Sequence, residues 1–232
     1  MTDDLDDLIR RTDPDRWLAS RFIGDVQARA DVIALYAYDY ELARAPKVAS
    51  TSLLGEIRLT WWREVLDEMF GGRPVRRHPT AQALADVAAR HGLPREPLEA
   101  MIDARYAELD SAPLSAEAAH DAAKAAEGCA RAAMMVLGAP AESSMAPGWA
   151  AAWALARLIE AGRVDPAAVD ALRAHVRLAL ADARSVERDY LSAEAFPAIA
   201  HATLARAYAA GRAPGPTQKR LRLIWAVARG RI

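Results

Sequence analysis

Two charged residues stand where the sequence predicts apolar helix faces. Asp39 lies among the apolar residues of a helix predicted over 26–45, and Arg58 lies at the centre of the apolar face of the next helix, predicted over 50–71. A buried charge is costly unless an opposite charge compensates it. The two positions therefore predict a buried Asp39–Arg58 ion pair that fixes the register of the two helices. Direct catalysis by this pair is the alternative.

Other residue types that build common catalytic sites are not arranged for them. The five histidines show neither HxxxH nor HExxH spacing, which a helical zinc site needs. The motifs GxSxG and GxxxxGK[ST] are absent, and so is a strand followed by a glycine-rich turn and a helix, which argues against hydrolase, P-loop and Rossmann chemistry. The single cysteine, Cys129, allows no internal disulfide and no cysteine-based metal site. Glu187 is a further charge near a predicted apolar stripe, either buried or at its rim.

Helices must position all of these residues. Alanine and leucine dominate, and prolines cluster between segments with helical apolar periodicity, which predicts an all-α fold. No linker or internal repeat interrupts the pattern, so we expect one domain over 14–232, preceded by an acidic, solvated tail over 1–13. The predicted helices are a short one from Asp13-Pro14, then 26–45, 50–71, 79–91, 94–110, 115–137, 147–161, 166–191, 194–210 and 216–229.

Composition indicates which partners and which cellular compartment to expect. The formal net charge of −1 argues against nucleic acid, and 53% hydrophobic residues suffice for a sizeable core. No apolar run approaches the roughly 20 residues that span a bilayer. We therefore expect a cytoplasmic protein, peripheral to the inner membrane if its basic, amphipathic segment 219–229 contacts lipid. The alternative is a terminal helix docked on the domain with its basic residues in water.

Several segments carry a family resemblance. Residues 15–19 (DRWLA), 34–38 (ALYAY) and 41–44 (ELAR) resemble the N-terminal signature of the squalene/phytoene synthase family. Residues 55–64 (GEIRLTWWRE) resemble a second and more specific signature of that family. Weaker similarity covers 150–159 and 221–232. The resemblance implies an isoprenoid-synthase-like helical bundle around a central apolar cavity.

The resemblance also implies that catalytic carboxylates are missing. Active members carry two aspartate-rich segments, because hard Mg²⁺ ions need several carboxylates to neutralise a diphosphate leaving group. Aligned on Tyr36 of ALYAY, the aspartates of the first segment fall on Ala43, Arg44 and Lys47. The second segment retains Asp165 and loses its earlier partner. We therefore carry over no metal ligand, no cofactor and no catalytic residue.

This departure resembles a branch of the family that includes a mitochondrial assembly factor for respiratory complex I. It implies a non-catalytic protein that binds an isoprenoid or lipid, or that serves a membrane-protein assembly partner. The alternatives are an active, Mg²⁺-dependent prenyltransferase with a differently built metal site, and an interaction module without a ligand. Arg44 and Lys47 would either bind a phosphate or acidic head group or stabilise a helix C-terminus. The residues expected to line the cavity are Tyr36, Tyr40, Glu41, Arg44, Lys47, Glu56 and Arg63.

Overall fold

The computed structural model of the chain describes residues 2–47, 51–110, 112–139, 147–186 and 192–232. These ranges contain α-helices and short 3-10 turns and no β-strand, which confirms the all-α class. Glu187 lies outside them. The helices are α1 (Thr2–Thr12), α2 (Pro14–Ser20), α3 (Val26–Lys47), α4 (Ser52–Phe70), α5 (Pro79–His91), α6 (Arg95–Arg105), α7 (Ala116–Val136), α8 (Pro147–Glu160), α9 (Val169–Val186), α10 (Ala205–Ala209) and α11 (Pro216–Arg229).

Helix α3 is the centre of the N-terminal half of the bundle. It packs against α1, α4, α5 and α7, and every side chain from Asp31 to Asp39 is buried. A helix covered on all sides needs apolar residues all round, which explains its weak amphipathic pattern. Pro46 lies inside the last turn of α3, where it donates no backbone hydrogen bond to the preceding turn.

The acidic N-terminal segment is a helix rather than a solvated tail. Residues 2–12 form α1, which packs on α3, and Leu5 and Ile9 belong to the hydrophobic core. The spacing of four residues places both on one face of the helix. The prediction of a tail over 1–13 is thus wrong for these residues, because the acidic composition conceals an apolar stripe facing α3.

A close approach of α6 and α7 holds the middle of the bundle together. A Cβ atom added at Gly128 of α7 would lie 2.7 Å from the backbone oxygen of Pro97 and 2.9 Å from Cγ of Met101. Only glycine allows this separation without a shift of one helix. The contact brings Cys129, the next residue of α7, close to the buried polar groups of α2 and α3.

The segment predicted as one helix over 194–210 contains shorter pieces. The 3-10 turns Phe196–Ala198 and Ala200–Leu204 precede α10. Pro197 lacks an N–H donor, and the side chains from Ala195 to Ala202 are all buried. Packing on every side therefore sets this backbone, and the helix propensity of the many alanines does not decide it.

Candidate functional site

The most unusual feature of the interior is a buried arginine on the short helix α2. The side chain of Asp13 caps this helix by accepting a hydrogen bond from the backbone N–H of Arg16 at 3.2 Å. The guanidinium of Arg16 lies 2.5 Å from Asp13 through Nε and 2.7 Å from Asp39 through Nη2. It also lies over the rings of Tyr36 and Trp153, at 4.9 and 5.3 Å from their centroids. Arg16 thus joins α2 to α3 and α8 from inside the bundle.

Asp39 accepts ion pairs from two helices. Its second carboxylate oxygen lies 2.6 Å from Nη2 of Arg105 on α6, and Nη1 of Arg105 lies 2.5 Å from Glu108. Burial alone would raise the pKa of Asp39, but the guanidinium groups of Arg105 and Arg16 outweigh that effect and lower the pKa to about 2. Asp39 is therefore ionised at every physiological pH.

The predicted Asp39–Arg58 pair is wrong. Asp39 is buried as expected, but its partners are Arg16 and Arg105, and Arg58 is exposed. Helix α4 buries one face, which includes Leu59 and Trp62. The apolar surface of the helix is wider than this buried face. Part of that surface faces solvent, and Arg58 lies there. A charge on an apolar stripe indicates burial only when another element covers the stripe.

A second cluster surrounds Asp15, next to Arg16 on α2. Its carboxylate accepts hydrogen bonds from Tyr208 Oη at 2.6 Å and from Trp153 Nε1 at 3.2 Å. Nζ of Lys219 lies 2.6 Å from it and Nη1 of Arg157 lies 3.7 Å away. One carboxylate thus ties α2 to α8, α10 and α11. Because these four neighbours are all donors, the carboxylate of Asp15 serves to connect the helices around it.

Within these two clusters the charges balance. Four acidic side chains face four basic ones: Asp13, Asp15, Asp39 and Glu108, with Arg16, Arg105, Arg157 and Lys219. A Mg²⁺ site requires an excess of carboxylate, and a diphosphate site requires an excess of cation. The clusters supply neither excess, so their charges are used in holding helices together.

Beside the first cluster lie buried polar atoms without a hydrogen-bond partner in the described part of the chain. They are Oη of Tyr36 and both ring nitrogens of His201, whose ring packs edge-on against Trp153 at 4.7 Å between centroids. Burial lowers the pKa of His201 to about 3 and raises the pKa of Tyr36, so both are neutral at physiological pH. Burial also raises the pKa of Cys129 to about 12, so its thiol is not a nucleophile. This centre can donate or accept hydrogen bonds but holds no activated base or thiolate.

The residues predicted to line one cavity are distributed over several places. Glu41 and Arg44, which lie 3.3 Å apart, line a surface pocket of about 210 Å³. Arg63 pairs with Glu99 at 3.3 Å and with Asp103, both on α6. The surface pocket beside Glu41 and Arg44 is also lined by Ala45, Arg58, Trp61, Trp62 and His78.

The other predicted cavity residues do not reach this pocket. Tyr36 is buried at the centre, and Glu56 is exposed. Tyr40 lies under the guanidinium of Arg44, 5.6 Å from ring centroid to Cζ. Lys47 is in the last turn of α3, where partial desolvation and nearby arginines lower its pKa despite the opposing effect of Glu108.

Of the charged residues in the two clusters, sequence reasoning identified only Asp39 as buried and overlooked, among others, Asp15, Arg16 and Arg105. For Arg105 a signal exists, since it follows Leu98 and Met101 at seven and four residues and so shares their buried helix face. For Asp15 and Arg16 the signal is weak, because α2 is too short for a reliable helical periodicity. Both belong to the DRWLA segment that carries the family resemblance.

The magnesium site of active family members does not fit this chain. Ala43 and the two cations Arg44 and Lys47 supply no carboxylate at the first segment. At the second, Asp165 is exposed and caps the turn Pro166–Ala168 by accepting a hydrogen bond from Ala167 N–H at 2.9 Å. Among the described residues, no three His, Cys, Asp or Glu side chains are grouped as metal ligands.

The fold and the clusters together define an all-α helical protein whose buried charges pair with one another. Residues 9–119 match the squalene/phytoene synthase family, and this segment contains Arg16, Asp39 and Arg105. The all-α fold of the described residues agrees with the isoprenoid synthase fold that a match to this family implies. No helix in the described ranges has the length and apolar character needed to cross a membrane.

The chain is also similar to proteins named NADH dehydrogenase (ubiquinone) complex I, assembly factor 6. It is 29% identical to the one from Bos taurus over 104 residues, which are 45% of this chain and 31% of the relative. Identity is 30% to the one from Rattus norvegicus and 28% to the one from Homo sapiens, over the same length and shares. The alignments thus span about a third of these relatives.

Proposed function

We propose that this protein is a non-catalytic member of the squalene/phytoene synthase family. In this role it binds an isoprenoid or lipid, or assists assembly of a respiratory membrane complex. The observation that carries the proposal is the charge pattern: Arg44 and Lys47 occupy positions where active members are expected to hold aspartates. The ion pairs around Arg16 and Asp39 support it, because the carboxylate oxygens that a Mg²⁺ ion would need are paired with arginines. Similarity to complex I assembly factors supports the assembly role.

A turnover assay tests the loss of catalysis. The full chain is incubated with farnesyl or geranylgeranyl diphosphate and Mg²⁺, and released pyrophosphate is measured. We expect no release above a protein-free control. Release that EDTA abolishes would refute the proposal and favour the alternative, an active prenyltransferase with its metal site built from other carboxylates.

Native mass spectrometry tests the binding role. Protein purified without detergent is expected to retain an isoprenoid or lipid molecule, and a ligand-free spectrum would oppose that half of the proposal. The double variant Arg44→Ala, Lys47→Ala then tests whether these two cations bind the phosphate of the ligand. Weaker binding of prenyl phosphates at low salt would identify the two cations as the anion site. Unchanged binding would show that they only stabilise the C-terminus of α3.

Loss of the protein from cells tests the assembly role. Membranes of such cells are expected to show reduced NADH:quinone activity and less assembled complex I on native gels. Restored assembly with the Arg44→Ala, Lys47→Ala variant would separate this role from anion binding. Unchanged complex I in cells without the protein would contradict the assembly role.

A further inference from the structure

Helix α11 buries one face and exposes an apolar stripe on the opposite face. Leu223 and Ala226 are buried, and the helix packs on α2 and on the turn Ala200–Leu204. Leu221, Ile224 and Trp225 are 62%, 52% and 57% exposed. With about 100° per residue, these three side chains form a stripe roughly opposite Leu223. The helix is therefore docked on the domain and still presents apolar side chains outward.

An ion pair supports this orientation. Lys219 turns inward and lies 2.6 Å from the carboxylate of Asp15, so its charge is compensated within the domain. Leu223, which is fully buried, follows one turn later on the same side. Two anchors on one side of the helix prevent it from rotating its apolar stripe into the core. Trp225 therefore stays exposed while the helix is docked on the domain.

Arginines border the stripe on both sides. On the helical projection, Arg222 and Arg229 lie to one side of it and Arg220 lies to the other, and all three are exposed. The guanidinium of Arg229 lies 3.7 Å from the ring centroid of Trp225. Residues 215–232 contain no Asp or Glu, although the whole chain has a net charge of −1. Positive charge is thus concentrated around the exposed apolar stripe.

We propose that this face of α11 binds the surface of an anionic lipid bilayer. Aliphatic and indole side chains enter the interfacial layer, while arginines beside them contact phosphate groups, a combination that interfacial helices use. A second copy of the chain is a poor occupant, since a two-fold contact would place these arginines against each other. The proposal does not depend on the loss of catalysis, and it is tested separately.

Vesicle sedimentation tests the proposal with the full chain. Phosphatidylcholine vesicles with phosphatidylglycerol are expected to bind the protein, and vesicles of phosphatidylcholine alone are expected to bind it far less. Higher salt should weaken the binding, because it screens the arginines. No binding to the anionic vesicles, or equal binding to both kinds, would overturn the proposal.

Two matched variants test the apolar stripe. Ile224→Ser with Trp225→Ser should weaken binding to the anionic vesicles by at least about tenfold, because both side chains lose the apolar layer. Val26→Ser with Leu178→Ser is the control, since these residues are 69% and 68% exposed on α3 and α9. Equal weakening by both pairs would overturn the proposal. Thermal unfolding checks that both variants remain folded.

A second pair tests the charges. Each arginine near an anionic surface contributes a factor of about five, so Arg220→Gln with Arg222→Gln should weaken binding about 25-fold. Arg73→Gln with Arg77→Gln changes the net charge equally at exposed positions between α4 and α5. The same loss in this control would show that total charge, and not α11, determines binding. Dimers that dissociate in the α11 variants would assign the face to a second copy and refute the membrane proposal.

Discussion

Replacing Asp39 by asparagine tests the central ion-pair network. Asparagine keeps the shape of the side chain and removes the charge that Arg16 and Arg105 share at 2.7 and 2.6 Å. The two arginine side chains, only 7% and 11% exposed, then keep one carboxylate partner each, Asp13 and Glu108. Buried charges that lose compensation are costly, so the variant should be clearly less stable than the natural protein.

The expected loss follows from the pKa of the carboxyl group. The pKa of Asp39 falls from its ordinary value of 3.8 to about 2. This difference corresponds to roughly 2.5 kcal/mol of stability at neutral pH. Because the variant also leaves two arginines undercompensated, we expect about 3–5 kcal/mol. For a chain of this size, the melting temperature should fall by about 6–20 °C.

Urea unfolding at neutral pH measures the loss in Asp39→Asn, with Arg58→Ala as the control. Arg58 is exposed, so its replacement should change stability by less than about 0.5 kcal/mol. The two changes should be additive in the double variant, because the side chains do not pair. A loss below about 1 kcal/mol in Asp39→Asn, or coupling to Arg58, would refute the reasoning.

The pH dependence gives an independent check. The folded-state pKa of Asp39 is depressed, so its contribution is fully present above the unfolded value of 3.8 and is lost as the pH falls through about 2. The stability difference between the natural protein and Asp39→Asn should therefore shrink between about pH 4 and about pH 2. A difference that stays constant over this range would show that the charge is not the cause.

Two further buried groups give simple tests. Burial raises the pKa of the Cys129 thiol to about 12, so Ellman's reagent should label the native protein very slowly and the unfolded chain at once; rapid native labelling would contradict the burial. His201 has a pKa lowered to about 3 by burial, so the unfolded state takes up its proton first as the pH falls below about 6.5. The protein loses stability between neutral pH and about pH 4, and replacing His201 by leucine should remove about 3 kcal/mol of that loss. Urea unfolding at several pH values measures it. The same pH dependence in the variant would contradict the lowered pKa of His201.

The sequence predicted the class of fold well because helix signals are local. Proline and glycine positions and apolar periodicity place most of the helices, including α3, α5, α7 and α11, within a few residues of their observed bounds. The short turns within 194–210 were not predicted, because burial on all sides determines the backbone there. Helix α1 was not predicted, because charged residues dominate its composition. Its contact with α3 depends on Leu5 and Ile9.

The candidate site shows the same division more sharply. Sequence alone identified Asp39 as a misplaced charge, and motif comparison placed Arg44 and Lys47 where a metal-binding segment is expected. It could not identify the partners of Asp39, because Arg16 and Arg105 come from helices 23 and 66 residues away along the chain. A helical pattern specifies which side of one helix is apolar. Which neighbour covers that side is decided only when the helices pack, so the same kind of pattern left Arg58 in solvent and Asp39 buried.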